Sequence, residues 1–400
     1  MKILVSAYRC SPAVGGEPGR SWMWVQSYLK LGYEVWCIAN QWDREVIEQH
    51  LSPGDHCHFV FLEVPAWLEK IYVNTLGVYV HYLVWQRYAY HQAARLQQEQ
   101  CFDFVHHISY GSPQLGSSLW RLQIPMVFGP IGGGQFPPPS FKKYFYSGWK
   151  EEQVRKWLSR LLMLFNLDAR RTLKQARLVM AVNRETADLA KAYGSQRVDM
   201  FLDSGLNERA LPELLPEKPT SPQLNILWVG RLLPRKGLPL ALEALSLVSA
   251  DVPFRLTILG DGPLGAYVTE WLERYQLQDR VDWQGQVPWD TVKSYYLKSD
   301  VFLFCSLRES FGAQLLEAMA FGLPVIALDH QGVQAFVPDQ AGIKVPVTHP
   351  SETVQGIADA IAYFYQHPEE RLAAGRYAYQ YARQQVDFNN VKDMILSYDI

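Results

Sequence analysis

Cysteine is scarce in this 400-residue sequence, and the few cysteines present are widely separated. They are Cys10, Cys37, Cys57, Cys101 and Cys305, without any Cys-x-x-Cys spacing. This pattern indicates neither a zinc site nor a disulfide framework, and it favours a reducing, cytoplasmic environment. Residues 1–5 also lack the long apolar core of a secretory signal, since they run directly into a strand pattern.

A hydrophobic run long enough to cross a membrane is missing from the most apolar part of the first half. The uncharged, aromatic-rich run between Lys70 and Arg87 is 16 residues long and includes Asn74 and His81. A spanning helix needs about 20 mostly apolar residues, so this run is too short. A hydrophobic content of 48% and a charged content of 20% are typical of a globular protein, and the length predicts two or three domains.

The net charge is small, −2, but the charges are unevenly distributed. Residues 1–200 contain 22 Lys and Arg against 16 Asp and Glu, whereas residues 201–400 contain 16 against 24. The basic excess is concentrated in 142–197, where 13 basic residues accompany five acidic ones. Such a region can bind a phosphorylated or membrane-surface acceptor, or it can be a solvated helical surface. No nucleic-acid partner is expected.

Within this basic region, residues 142–171 combine aromatic and aliphatic side chains such as Trp157 and Phe165 with cations such as Arg155 and Arg160. The mixture suits a helix lying in a membrane interface, which would hold the protein peripherally on the inner face of the membrane. It equally suits an amphipathic helix packed on a sheet. The sequence leaves both interpretations open.

Apolar segments of strand length alternate with helical segments throughout the first half, which predicts a parallel sheet covered on both faces. The predicted strands are Lys2–Ala7, Glu34–Ala39, His58–Leu62, Asp103–His107, Met126–Phe128 and Leu178–Ala181. Parallel sheets bind ligands at the carboxyl ends of their strands. The loops at those ends are therefore the places to look for a site.

Three such loops stand out in the first half. In residues 11–19, Gly15 and Gly16 allow a phosphate or sugar to approach the backbone, although a flexible turn has the same composition. In the second, His106 or His107 can donate to a sugar hydroxyl or a developing charge, or can be buried and structural. Strand alternation lets only one of the two face a ligand, and of the two we favour His107. The third loop contains three glycines, 132–134, which indicate backbone contact with a ligand or simple mobility.

The second half begins after a Pro-rich linker at residues 215–222. A strand at Asn225–Val229 leads into a loop that carries Arg231 and Lys236 and is bounded by glycines. Two cations at the carboxyl end of a strand can clamp a diphosphate and stabilise it as a leaving group.

Residues 301–328 read as strand, loop, helix and strand, with Ser310 predicted as the helix N-cap. The unpaired amides at such a helix start form an anion site. They would be contributed by Phe311, Gly312 and Ala313. Glu309 and Glu317 lie beside this site with seven residues between them. Carboxylates would repel a bare phosphate, so they indicate a ligand that carries both phosphate and sugar hydroxyls.

The segment Glu309-Ser310-Phe311-Gly312, followed by Glu317-Ala318, resembles the E-x7-E signature of glycosyltransferase family 4. This resemblance implies an α/β protein of the GT-B fold, with two Rossmann-like domains facing each other across a cleft. It implies a nucleotide diphosphate sugar as co-substrate, no further cofactor, and transfer with retention of anomeric configuration. No Asp-x-Asp occurs in the chain, so the metal-binding aspartates of the other major glycosyltransferase fold are absent and no metal is expected.

The resemblance also assigns roles to particular residues. The catalytic group would be Arg231, Lys236, Glu309 and His107. The donor would contact Gly16, Gly285, Val287, Ser310, Phe311, Gly312, Ala313 and Glu317. Glu317 would accept from the nucleotide ribose and Glu309 from sugar hydroxyls. Gly260–Gly265 formally matches a dinucleotide fingerprint, but Pro263 sits where that fingerprint turns into its helix, and the family has a G-x-G-P turn here.

The predicted domains are an acceptor-binding domain at 1–205, a nucleotide-sugar-binding domain at 206–385, and a segment at 386–400 that crosses back to the first domain. The acceptor can be a glycan, a lipid-linked molecule or a small molecule. Two other functions remain open. One is an epimerase or phosphorylase of the same fold, and the other is a non-catalytic protein that binds a nucleotide sugar.

Overall fold

The computed structural model describes residues 1–51, 54, 56–73, 75–146, 148–202, 211–218 and 221–386. Their contacts divide them into two compact units. The first contains residues 1–134 and 155–202, and the second contains residues 135–154 and 211–386, as far as these are described. The predicted boundary at 205/206 and the segment 387–400 lie outside the described residues.

The first unit is built on a parallel sheet. In the described ranges its strands are β1 (Lys2–Ala7), β2 (Glu34–Asn40), β3 (Cys57–Leu62), β4 (Phe104–Ser109), β5 (Met126–Ile131), β6 (Leu178–Ala181) and β7 (Val198–Met200). They are arranged in the order β3-β2-β1-β4-β5-β6-β7, and every pair is parallel. Its helices are α1 (Glu17–Lys30), α2 (Arg44–His50), α3 (Ala66–Lys70), α4 (Thr75–Gln100), α5 (Gly148–Phe165, which contains the division between the units), α6 (Leu167–Gln175) and α7 (Arg184–Ala192).

The second unit repeats this plan. Its described strands are β8 (Leu224–Val229), β9 (Phe254–Leu259), β10 (Val281–Gly285), β11 (Val301–Phe304), β12 (Val325–Asp329) and β13 (Gly342–Pro346). The order is β10-β9-β8-β11-β12-β13, again with parallel pairs throughout. The helices are α8 (Leu238–Ser246), α9 (Val268–Arg274), α10 (Trp289–Lys298), α11 (Ala313–Ala320), α12 (Gln331–Phe336), α13 (Pro350–Gln366) and α14 (Pro368–Val386).

The strands predicted from the sequence are present, and their bounds differ by a few residues at most. The central strands β4 and β5 are buried along their whole length, because helices cover both faces of a parallel sheet. No strand was predicted from the sequence at β7 or at β13. Each is the last strand in the order of its sheet, and such edge strands have a weaker apolar pattern.

Residues 135–154 pack with the second unit, whereas the sequence analysis placed them inside a continuous first domain. Phe141 and Phe145 are fully buried in the hydrophobic core of the second unit. The ammonium of Lys143 lies 2.9 Å from the carboxylate of Glu243 on α8. Chain order alone does not show that a segment leaves one core for another.

None of the helices in the described ranges has both the length and the apolarity needed to cross a bilayer.

Candidate functional site

The loop after β8 carries Arg231 and Lys236, the two cations predicted to bind a diphosphate, and these two side chains differ in burial. Residues Pro234–Lys236 form a single 3-10 turn that ends at Gly237, whose φ is 69°. A side chain at position 237 would place its Cβ 2.0 Å from the carbonyl oxygen of Cys305, so only glycine fits this close approach. The turn therefore brings Lys236 against the end of β11. Arg231, earlier in the loop, is exposed.

Lys236 is buried with 6% of its surface exposed, and its ammonium contacts Oε2 of Glu309. The guanidinium of Arg235 lies 2.6 Å from the same oxygen. The ammonium also lies 5.6 Å from the centre of the Phe304 ring, which is within cation–π distance. Two cations thus converge on one carboxylate in a partly desolvated position.

Burial and charge act in opposite directions on these groups. Burial lowers the pKa of Lys236, and the neighbouring Glu309 carboxylate partly restores it. For Glu309, burial opposes ionisation, but the combined attraction of Lys236 and Arg235 prevails and lowers its pKa to about 2. Glu309 is therefore ionised at neutral pH, and its carboxylate faces two basic side chains at a largely buried position.

The backbone around Glu309 is fixed by side chains from distant parts of the second unit. The amide N–H of Glu309 donates to Oε1 of Gln331 at 2.7 Å, and Nε2 of Gln331 donates to the carbonyl of Phe136 at 3.3 Å. Arg308 donates to Oε1 of Glu152 through Nε at 3.0 Å and through Nη2 at 2.8 Å. The segment 135–154 therefore braces the loop that carries Glu309.

Helix α11 follows this loop and begins at Ala313, with Gly312 at the N-cap position. Gly312 has a φ of 101°, and a Cβ there would lie 2.7 Å from the Phe304 ring. The prediction that Ser310 is the N-cap is wrong. Its hydroxyl instead accepts a hydrogen bond from Nε2 of Gln135 at 3.1 Å. The first amides of α11 keep the anion-binding character of a helix N-terminus.

Glu317 lies on α11, one turn into the helix, and is partly buried. The hydroxyl of the fully buried Tyr296 donates to its Oε2 at 3.0 Å. Burial raises the pKa of Glu317, and the hydrogen bond from Tyr296 counteracts this only in part. Such a carboxyl group suits hydrogen bonding to hydroxyls better than binding of a cation.

The remaining predicted donor contacts of the second unit follow β10. Gly285 is the last residue of β10, and a Cβ there would meet no atom within 4 Å. Val287, two residues later, is partly buried. There is therefore open space beside the Cα of Gly285 at this strand end.

Gly16 and His107 belong to the first unit and have contrasting surroundings. Gly16 immediately precedes α1, and a Cβ there would meet nothing within 4 Å. His107 lies within β4 and is fully buried, with its ring nitrogens 3.0 Å from the hydroxyls of Tyr82 and Ser6. The structure thus leaves space beside Gly16 but encloses His107.

His106 is buried as well. Its ring nitrogens lie 2.8 Å from the Tyr28 hydroxyl and 2.8 Å from the carbonyl of Gly129. The expectation that alternation turns one histidine towards a ligand does not fit this strand, because both faces of the sheet are covered at β4.

The triple-glycine loop has a structural explanation inside the first unit. A Cβ at Gly134 would lie 2.7 Å from the Cα of Thr186, near the start of α7. The amide of Gly134 donates to the Thr186 hydroxyl at 3.1 Å, and Gln114 donates to the carbonyl of Gly133 at 2.8 Å. Glycine at position 134 permits this close packing.

Sequence reasoning missed four residues that contact the cation loop or the Glu309 loop: Arg235, Gln331, Gln135 and Glu152. Arg235 adjoins a residue that was identified, so a cluster of basic residues was the available signal. The other three lie 22 or more residues away from their partners, and no local pattern marks them.

Comparisons with known proteins point to one family. Residues 216–381 match the family model described as "Glycosyl transferases group 1". The gpi3 subunit of phosphatidylinositol N-acetylglucosaminyltransferase from Schizosaccharomyces pombe is 33% identical over 156 residues, covering 39% of this chain and 34% of that protein. The putative colanic acid biosynthesis glycosyltransferase WcaL of Escherichia coli is 35% identical over 184 residues, 44% of each chain. The matches span less than half the length of these relatives.

The fold comparison covers the whole chain. Sucrose-phosphate synthase from Thermosynechococcus elongatus aligns over 100% of this chain and 98% of its own, with a TM-score of 0.69 at 18% identity. With the two parallel-sheet units, this likeness confirms the predicted GT-B fold class. The predicted resemblance to a glycosyltransferase family is confirmed as well, since residues 216–381 match the glycosyl transferases group 1 model.

Proposed function

We propose that this chain transfers a sugar from a nucleotide diphosphate sugar to an acceptor hydroxyl, with retention of anomeric configuration and without a metal ion. One observation carries the proposal. Lys236 is held buried and charged beside Glu309, just before the start of α11 in the second unit. A buried ion pair adds little net stability on average, so its presence in a strand-end loop favours a role in binding.

The reaction breaks the bond between the anomeric carbon and the diphosphate oxygen and forms a bond between that carbon and the acceptor oxygen. Negative charge develops on the departing diphosphate, which takes up the proton of the acceptor hydroxyl. A protonated lysine has three N–H donors, and Glu309 occupies one of those on Lys236. The others are available to diphosphate oxygens, and burial strengthens their effect.

Neighbouring groups complete the donor site in this proposal. Arg231 and the amides of Phe311, Gly312 and Ala313 contact the phosphates, with the hydroxyl of Ser310 beside them. Glu317 accepts from the ribose, since its second oxygen is not the one that Tyr296 contacts. Glu309 uses Oε1 for a sugar hydroxyl, because both cations contact Oε2.

The base would lie against the backbone at Gly285 and Val287. A base there needs accessible backbone, and the open space beside Gly285 supports this assignment.

The acceptor side of the reaction is assigned to the first unit. The space beside Gly16 at the start of α1 supports the predicted contact of Gly16 with the donor diphosphate. The relatives are named for transfer to phosphatidylinositol and for colanic acid synthesis, which are lipid and polysaccharide products. A lipid-linked or glycan acceptor at the cytoplasmic face of a membrane is therefore the first class to test.

The test is a transfer assay with a panel of nucleotide diphosphate sugars and lipid-linked, glycan and small-molecule acceptors. We expect one donor to yield a glycosylated product whose anomeric configuration, read by NMR, matches that of the donor. Transfer should persist in excess chelator. Product with inverted configuration would refute retention, and a chelator-sensitive reaction would refute metal independence.

The same assay separates the other reactions of this fold. An altered sugar formed without acceptor would indicate an epimerase, and strict dependence on inorganic phosphate would indicate phosphorolysis. Calorimetry with nucleoside diphosphates gives an independent reading of the donor site. Binding of nucleotide without turnover of any donor and acceptor pair would indicate a non-catalytic protein that binds a nucleotide sugar.

A further inference from the structure

The end of α5 and the start of α6 expose an unusual set of large apolar side chains. Between 40% and 80% of the surface of each is accessible: Trp157, Leu161, Leu164, Phe165 and Leu167. The first four are separated by four, three and one residues, which places them on one side of a helix. We call these five residues the apolar ridge.

The apolar ridge is not the core-facing side of these helices. Met163 on α5 and Ala169 and Leu173 on α6 supply that side, since they are buried in the core of the first unit. The corner between the helices is also fixed. The side-chain amide of Asn166 donates to the carbonyls of Gln114 and Leu115, each at 3.0 Å, and its oxygen caps α6. The ridge is therefore held outward by a packed and hydrogen-bonded corner.

Basic residues predominate in the segment that carries the ridge. Residues 155–177 contain seven Lys and Arg and a single acidic residue, Asp168. Arg160, Arg170 and Arg171 are exposed. Asp168 does not offset them, because its carboxylate already lies 2.7 Å from Arg121 and accepts from the Ser118 hydroxyl at 2.8 Å.

We propose that the apolar ridge and its surrounding cations form a docking surface for a lipid bilayer with anionic headgroups. Tryptophan, phenylalanine and leucine enter the boundary between headgroups and acyl chains, while the arginines remain at the level of the phosphates. Charge complementarity selects this occupant. A second copy of the chain, meeting this face symmetrically, would bring like charges together, whereas an anionic membrane neutralises them.

This proposal does not depend on the proposed function, because docking requires no transfer reaction. If both proposals are correct, the docking surface would hold the first unit at the membrane, where lipid-linked acceptors are found. A protein that docks but transfers nothing, or transfers but never docks, would separate the two.

The experiment is flotation of the full chain with vesicles of phosphatidylcholine alone or of phosphatidylcholine with phosphatidylglycerol. We expect recovery with the anionic vesicles at low salt, little recovery with neutral vesicles, and a loss of binding as salt is raised. The double variant Trp157→Ser with Phe165→Ser should weaken the vesicle affinity by about tenfold or more, since it removes the largest inserted groups. Arg170→Gln with Arg171→Gln should weaken binding to anionic vesicles only.

Leu247→Ser with Leu372→Ser is the matched control, because it removes exposed apolar groups from the second unit. It should leave flotation unchanged, and all variants should keep the thermal unfolding profile and the nucleoside diphosphate affinity of the parent. Parent protein that stays out of the lipid fraction at low salt would overturn the proposal, as would undiminished flotation of the Trp157 and Phe165 variant. Light scattering that shows a dimer dissociated by the ridge variant, without flotation of the parent, would assign the face to self-association instead.

Discussion

The two units share one plan, a parallel sheet with helices on both faces, yet the polar residues in and after their strands have different surroundings. In the first unit, His106 and His107 are enclosed and neutral, and hydroxyl or carbonyl groups satisfy their ring nitrogens. In the second unit, Lys236 is buried, Glu309 is partly buried, and the two side chains form an ion pair. The same topology thus supports either a closed polar core or a charged site, and the residues on the loops decide which.

The difference in charge matters because burying ions is expensive unless they are paired. Neutral hydrogen-bonded histidines cost little once their partners are in place. The Lys236–Glu309 pair keeps two formal charges out of water, with Arg235 adding a third. Strongly perturbed, paired charges are concentrated at functional sites, which supports our proposal that the second unit stabilises the charge of a departing diphosphate.

The largest expected effect tests whether that charge acts on the departing diphosphate. Lys236→Ala should lower the rate of sugar transfer by about 100-fold, as the loss of one donor to a developing negative charge does in other enzymes. Steady-state kinetics with a saturating donor measures it. Lys344→Ala is the control, because Lys344 is a similarly shielded lysine of the second unit that pairs with Asp339. Equal losses in the two variants would mean that the effect is structural and not catalytic.

A second prediction concerns the stability of the charged pair. Lowering the pKa of Glu309 from an ordinary value to about 2 corresponds to on the order of 3 kcal/mol of stability at neutral pH. Glu309→Gln should lose about that amount, measured by denaturant unfolding at pH 7, because it also leaves Lys236 buried without its partner.

The pH dependence gives this prediction its sign. Above about pH 4.3, Glu309 is ionised in both folded and unfolded chains and its full contribution is present. As the pH falls from 4.3 towards 2, Glu309 becomes protonated in the unfolded chain while it stays ionised in the folded chain. The contribution of Glu309 to the free energy of unfolding is therefore lost in this range. The gap between parent and Glu309→Gln should therefore narrow in this window. A constant gap would show that the pair is not the source of the stability.

A smaller effect is expected at the ion pair between Arg308 and Glu152, which supports the loop that carries Glu309. Glu152→Gln removes the carboxylate that accepts two hydrogen bonds from Arg308, so the loop that carries Glu309 should be held less firmly. We expect about tenfold weaker binding of nucleoside diphosphate, the loss typical of one hydrogen bond to a charged group. Calorimetry measures it, and Glu151→Gln is the matched control because Glu151 is exposed. Unchanged nucleotide binding by Glu152→Gln would show that the contact between Glu152 and Arg308 does not support the site.

How far the sequence predicts this structure depends on the range of the interactions. The strands, α11 and the group Lys236, Glu309 and Glu317 follow from local patterns, because strand-end loops and helix starts have local signals. The contacts of Gln135 with Ser310 and of Glu152 with Arg308 do not follow from local patterns. The partners lie 175 and 156 residues apart in the sequence. The role of Ser310 was mistaken for the same reason, because a distant amide competes for its hydroxyl. For β4, the error was to apply two-sided alternation to a strand that is covered on both faces.

The last prediction is that His106 and His107 of the first unit do not become protonated between pH 8 and pH 5. Burial lowers the pKa of His106 to about 4, and burial together with the neighbouring His106 lowers that of His107 to about 3. The ring protons of both should therefore keep their neutral NMR shifts between pH 8 and pH 5, whereas histidines of the unfolded chain become charged near pH 6.5. Single His106→Gln and His107→Gln variants assign the two signals. A midpoint near 6.5 for His107 would show that its pocket opens to solvent, and would return His107 to the candidates for contact with a sugar.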